Sequence, residues 1–253
     1  MNFSGKLVII TALAVTVLLV SNIIATKPLS LFTLPFEVLG DKAVIVSVSV
    51  ICFPLSYIIS DVLTEVYGFR VARGVIWLGF ACNVIMVILF WLGGAIPGAV
   101  FWDNQDAYMA ILGTTGWVLL GSFAAYIVGE FANASVMVVL KNKTEGRFLW
   151  MRTISSTVVG QGVDSVIFYS IAFGLSGIWP ATAVLNGILF AWLVKTAYEI
   201  IATPLTYVVV GWLKRNEQMD IYDAPRSLNP FGVFGSGDDG SSYNAARPAT
   251  TTG

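Results

Sequence analysis

The 253-residue chain reads as an all-α, polytopic membrane protein, a six-transmembrane-helix bundle with both termini cytoplasmic. Three observations predict this. Hydrophobic residues make up 57% of the chain and charged residues only 11%, with a mean hydropathy of +0.80, where soluble domains carry about 25% charged residues. Six apolar segments are long enough to cross about 30 Å of hydrocarbon as helices, which needs roughly 20 residues each. Lysine and arginine gather in alternate connections between them, as the positive-inside rule requires.

The segments are residues 7–26, 44–60, 74–96, 116–140, 154–179 and 186–213. The first follows Lys6, and its apolar run exceeds a signal-peptide core. Asn22 and Lys27 stand where a small-residue cleavage site would be, so it reads as a retained span. Arg70 and Arg73 follow span two, Lys141, Lys143, Arg147 and Arg152 follow span four, and Lys214 and Arg215 follow span six. These connections are therefore assigned to the cytoplasm. The opposite connections hold Lys27 and Lys42, then Asp103 and Asp106, then no charge at all between Trp179 and Asn186. Beyond Leu213 the composition turns to Gly, Ser, Pro, Thr and Asp without apolar periodicity. Residues 1–216 are expected to form the membrane domain and 217–253 a disordered cytoplasmic tail.

Composition also removes function classes. A formal net charge of -1 gives no basic surface for nucleic acid. The absence of histidine removes the usual zinc ligand and imidazole proton shuttle, so proton chemistry has to run on carboxylates. Cys52 and Cys82 lie inside spans two and three, without disulfide or metal-ligand spacing, and read as small apolar residues. No phosphate loop is present. No metal, no cofactor and no nucleic acid is expected; the partners expected are membrane lipid and a small, planar ligand, while a second copy or an energising subunit stays open.

Against this apolar background Glu130, Asp164, Lys195 and Glu199 fall near the middle of spans four, five and six. An ionised Asp or Lys at a helix centre costs about 2.5 to 3.5 kcal/mol on insertion scales, which makes such residues the default functional site. Residues three, four and seven apart share a helix face. Tyr126, Glu130 and Asn133 form one such stripe on span four; Gln161, Asp164 and Phe168, with Thr157, form another on span five; Trp192, Lys195, Glu199 and Thr203 form a third on span six. Lipid satisfies no hydrogen bonds, so the three stripes are expected to turn inward into one pocket. Its carboxylates, amides and aromatics suit a planar, donor-rich heterocycle, whose adjacent N–H groups a carboxylate accepts together. A cationic amine or a simple proton-coupled carrier fits the same list.

A second motif lies at the cytoplasmic end of span two. Asp61 and Glu65 share a face, Gly68 reads as a helix stop, and Arg70 and Arg73 follow, which together suggest an interfacial ion-pair latch. Pro54 and Pro204 interrupt spans two and six, as broken helices in transporters do.

Several strings resemble the queuosine precursor transporter family: Phe53-Pro54-Leu55-Ser56-Tyr57 running into Ser60-Asp61-Val62-Leu63-Thr64-Glu65-Val66-Tyr67-Gly68, then Gly129-Glu130-Phe131-Ala132-Asn133, then Phe148-Leu149-Trp150-Met151-Arg152-Thr153. Ser155-Ser156-Thr157-Val158-Val159-Gly160-Gln161-Gly162-Val163-Asp164-Ser165 is the most specific, and Lys195-Thr196-Ala197-Tyr198-Glu199 with Thr203-Pro204 closes the pattern. The resemblance implies a carrier of the vitamin-uptake type in the cytoplasmic (inner) membrane, importing 7-cyano-7-deazaguanine or 7-aminomethyl-7-deazaguanine for tRNA queuosine synthesis. It further implies that one or two of Glu130, Asp164 and Glu199 take the ring N–H and exocyclic amine, with Asn133 and Gln161 orienting the ring. Lys195 would hold a spare carboxylate or the ring carbonyl, Tyr126, Phe168, Trp192 and Tyr198 are candidate stacking faces, and Asn22 is a further candidate. The alternatives are a substrate-binding subunit of a modular importer, an intramembrane enzyme, or a membrane receptor or scaffold. An Ala12, Thr16 pair where a small-residue docking face would lie on span one argues against the subunit, and the absence of a nucleophile motif argues against the enzyme.

Overall fold

The computed structural model describes residues 4–25, 27–38, 41–113, 116–175, 177, 181–217 and 221. Helix α1, Gly5–Ile24, starts on Ser4, whose hydroxyl accepts the backbone N–H groups of Lys6 and Leu7 at 3.2 and 3.3 Å. This side-chain cap satisfies two of the donors that a helix start leaves unpaired. Strands β1, Pro28–Val38, and β2, Asp41–Ser47, then form an antiparallel hairpin pairing Pro28 with Ser47 and Val38 with Asp41.

The hairpin corrects the expected second span. Residues 44–47, assigned to a helix by their apolarity, lie in β2, where the β-branched run Val44, Ile45, Val46 suits a strand. Helix begins only with a 3₁₀ turn at Val48–Cys52 and continues as α2, Phe53–Val66. The span therefore runs Val48–Val66, some residues later than its hydropathy suggested. Pro54 stands in the first turn of α2, where its missing N–H breaks no helical bond, so it starts the helix rather than interrupting it.

Gly68, with φ 83° and ψ 167°, reverses the chain between α2 and α3, Phe69–Ala95. That backbone conformation is open only to glycine. A short α4, Gln105–Leu112, precedes α5, Gly116–Lys143. Helix α6, Leu149–Tyr169, ends in a π-helical turn at Ser170–Leu175. Helix α7, Ala181–Glu217, holds Pro204 in its interior and is about 55 Å long at 1.5 Å per residue. Of the expected tail, 217–253, Glu217 instead ends α7, and apart from it and Ile221 the tail lies outside the described residues.

Among the described residues six helices are long and apolar enough to cross a membrane, which makes this a multi-pass membrane protein. Helix α2 is the central one, more than half buried along its span, whereas α1 is almost wholly peripheral. It packs against α1, α3, α5 and α7. Helices α5 and α6 approach closely because Gly121, Ala125 and Gly129 repeat every four residues along their seam. A Cβ on Gly129 would stand 2.9 Å from the Asp164 Cβ, and one on Gly160 would stand 2.7 Å from the Asn133 Cβ.

Ion pairs fix which helix ends lie together. Lys6 pairs with Glu217 at 3.1 Å, joining the start of α1 to the end of α7. Burial, and then the nearby Glu217 carboxylate, push the hydroxyl of Tyr67 above the ordinary tyrosine range, with Ser4 pulling the other way. Glu65, at the end of α2, pairs with Arg152 at the start of α6 and Lys214 at the end of α7.

Candidate functional site

The side chains of α2 organise the interior. Tyr57, Ser60, Asp61 and Thr64 fall at i, i+3, i+4 and i+7 and so occupy one face. Tyr57, Asp61 and Thr64 are buried on it. Ending span two at residue 60 hid this stripe; the period was present in the sequence.

Ser60 links α2 to α5. Its hydroxyl donates to Glu130 Oε2 at 3.0 Å and accepts from Asn133 Nδ2 at 3.3 Å. One hydroxyl thereby fixes the acid and the amide that share the α5 face, while Asn133 Oδ1 is buried with no hydrogen-bond partner among the described residues.

Between α6 and α7 the ammonium of Lys195 pairs with the carboxylate of Asp164, both part-buried. Lys195 therefore answers an acid across the helix interface rather than Glu199 one turn along its own helix. Its Nζ also stands 5.1 Å from the centroid of the Phe53 ring, a cation–π distance. Asp164 and Lys195 both lie within electrostatic range of Glu130, which draws the α5 and α6–α7 groups into one site. Tyr57 lies within the same range of Asp164, Glu199 and Glu130, the three acids of three different helices.

Glu199 is fully buried, and its neighbours are Asp61 of α2 and Thr157 of α6. Among the described residues none of the four carboxylate oxygens of Asp61 and Glu199 meets a donor at hydrogen-bond geometry, although the Thr157 hydroxyl lies beside Glu199. Gln161 is buried on α6, between Thr157 and Asp164 on the same face.

The remaining candidates are more scattered. Tyr126 donates weakly to the Ile76 carbonyl at 3.4 Å and, with Ser60, Glu130 and Ala14 and Leu18 of α1, lines a cavity of about 50 Å³. Trp192 is committed to structure, its indole N–H donating to the Val158 carbonyl at 2.9 Å. Phe168 makes edge contacts with Tyr169 and Phe173, at 5.3 and 5.7 Å between ring centroids. Tyr198 and Asn22 are half-buried on α7 and α1.

The motif read as a latch takes a more enclosed form than an interfacial one. Glu65 is fully buried, and its Oε1 accepts from Arg152 Nη2 at 2.7 Å and Lys214 Nζ at 2.6 Å. Lys141 Nζ lies 3.7 Å from the same oxygen and donates to the backbone carbonyls of Glu65 and Ile221 at 2.8 and 2.7 Å. One carboxylate thus ties α2, α5, α6 and α7 together at the end of the bundle. Arg70 is exposed, Arg73 is buried on α3, and Asp61 faces the interior acids. Sequence spacing named Glu65 but not Arg152, Lys141 or Lys214, because partners on other helices carry no local signature.

Comparison with known proteins bears on this arrangement. Residues 47–209 match a family described as "Putative vitamin uptake transporter". A protein of Bacillus subtilis (strain 168) named "Probable queuosine precursor transporter" is 32% identical over 162 residues, covering 63% of this chain and 69% of that one. No solved structure matches.

Proposed function

The chain belongs to the vitamin uptake transporter family, and from that premise we propose that it imports queuosine precursors, 7-cyano-7-deazaguanine and 7-aminomethyl-7-deazaguanine, across the cytoplasmic membrane. The name of the Bacillus subtilis relative and the motifs of α2, α5, α6 and α7 support this class of substrate. Family membership supports reading the chain as a carrier rather than an enzyme.

The observation that carries the reading is the convergence of Glu130, Asn133, Asp164 and Lys195 beside Ser60 and Tyr57 in the interior. A guanine-type ring offers adjacent N–H and NH₂ donors on one edge beside a carbonyl acceptor. Glu130 and Asp164 are assigned the donors, Asn133 and Gln161 orient the ring, and Lys195 moves between Asp164 and the ring carbonyl. Tyr57 supplies an aromatic face that the sequence reading did not include. Trp192 and Phe168, held by their own contacts, shape the wall instead.

The cavity beside Glu130, about 50 Å³, is well below the roughly 300 Å³ at which small-molecule pockets begin. Helices have to part to admit a bicyclic ring, as alternating access requires. The Glu65 network at the basic end of the bundle serves in this reading as the gate that seals one side.

The test is expression in cells unable to make deazaguanines, with either precursor supplied at low concentration and queuosine measured in tRNA. Restoration is expected from the wild type. Glu130→Gln and Asp164→Asn, which keep size and remove the anionic acceptor, are expected to lower uptake at least tenfold with membrane insertion unchanged. Absence of rescue by inserted wild-type protein would refute the substrate assignment.

A further inference from the structure

Asp61 and Glu199 are the groups that the substrate reading leaves unexplained. Both are almost completely buried, at 1% and 0% exposure. They face each other where α2 packs on α7, and among the described residues no donor meets any of their four carboxylate oxygens at hydrogen-bond geometry. Two ionised carboxylates placed this way, in a low-dielectric interior and without donors, repel strongly; sharing one proton removes a charge and supplies the missing donor.

Among the described residues no cation is a neighbour of the pair. Glu65 and Glu130, the remaining charged neighbours of Asp61, are both acidic. Glu65 is already held by Arg152 and Lys214, and Glu130 by the Ser60 hydroxyl. Lys195, on the same helix as Glu199, pairs with Asp164 of α6. Thr157 and Tyr57 complete the wall as neutral side chains. Among the described residues no further acid or cysteine joins the pair in a metal-binding group.

We propose that Asp61 and Glu199 form a proton-binding pair, separate from the ring-binding groups, that holds one proton between them and exchanges it as the carrier turns over. The second half rests on the transport reading above; the first does not. The position of the pair suits the role, since it bridges the central helix α2 to the proline-containing α7, the two elements whose separation would expose it to water.

The proton itself is tested without substrate. Infrared spectra of the purified protein at neutral pH are expected to show a protonated-carboxyl band that shifts in heavy water and is lost in Asp61→Asn/Glu199→Gln. A band unchanged in the folded double variant overturns the proposal, as does absence of the band from the wild type, a result that does not depend on any variant folding. The exchange step is tested with wild-type protein in vesicles, the membrane potential clamped, and labelled 7-cyano-7-deazaguanine. An inside-alkaline gradient of one pH unit should raise accumulation about tenfold at one proton per substrate. Accumulation driven by sodium instead, or indifferent to both gradients, overturns the exchange step. A wild type that shows the double-variant-sensitive band but moves no deazaguanine upholds the proton pair and sinks the substrate assignment instead.

Discussion

At the residue scale, the chemistry of the interior is a matter of which acid has a partner. Asp164 has Lys195, Glu65 has Arg152 and Lys214, and Glu130 has Ser60. Removing one member of a fully buried ion pair strands the other and costs about 3 to 5 kcal/mol, less for a part-buried pair such as Asp164–Lys195, whereas removing both members costs less still. Lys195→Met is therefore expected to lower the thermal midpoint of the detergent-solubilised protein sharply, and Asp164→Asn/Lys195→Met to recover most of it. If the double variant is no more stable than the single one, the pair is not what holds the two helices. Ser60→Ala deletes one hydroxyl serving both Glu130 and Asn133, an effect of about 1 kcal/mol per hydrogen bond. A rise in KM for uptake of about tenfold is the expected reading, with protein abundance unchanged. The charged members of this site were legible in the sequence because four ionisable residues in apolar helices are conspicuous. Lys195 was legible as a residue but not as a partner: helical spacing placed it with Glu199, and only the α6–α7 contact gives it to Asp164.

At the element scale, the site depends on how closely α5 and α6 approach. Gly129 and Gly160 allow it, since neither leaves space for a side chain. Gly160→Ala would drive a methyl group into the Asn133 Cβ, and overpacking of this kind costs about 1 to 3 kcal/mol. It should also spread Asn133 and Asp164 apart, so both stability and uptake fall. Gly74 on α3 has no atom within 4 Å of an added Cβ, and Gly74→Ala is expected to leave both unchanged. Comparable melting temperatures for the two variants would show that the seam is loosely packed. The β1–β2 hairpin was the element that hydropathy misread. An apolar run of β-branched residues reads equally as a buried helix or a strand, and what decides is the pairing of Val44, Ile45 and Val46 with β1, a partner earlier in the chain. That same error ended span two too early and concealed the polar face of α2.

At the scale of the whole molecule, Lys141 at the end of α5, Arg152 at the start of α6 and Lys214 at the end of α7 gather around Glu65 at one end of the bundle, the end that the positive-inside rule predicts to face the cytoplasm. A fluorescent protein fused after residue 253 should therefore fold and fluoresce, and an alkaline phosphatase fused at the same point should stay inactive; the reverse pattern would invert the topology. The sequence by itself determined the membrane class, the six long apolar helices and the identity of the interior charges, because hydropathy, helical period and charge are properties of local sequence. Only the tertiary structure decided the pairings: Lys195 with Asp164, Glu65 with Arg152, Lys141 and Lys214, and Asp61 with Glu199. The physical reason is that in a helical bundle a side chain's nearest polar neighbour lies on another helix, at a depth and rotation set by packing, and no spacing within one helix encodes it.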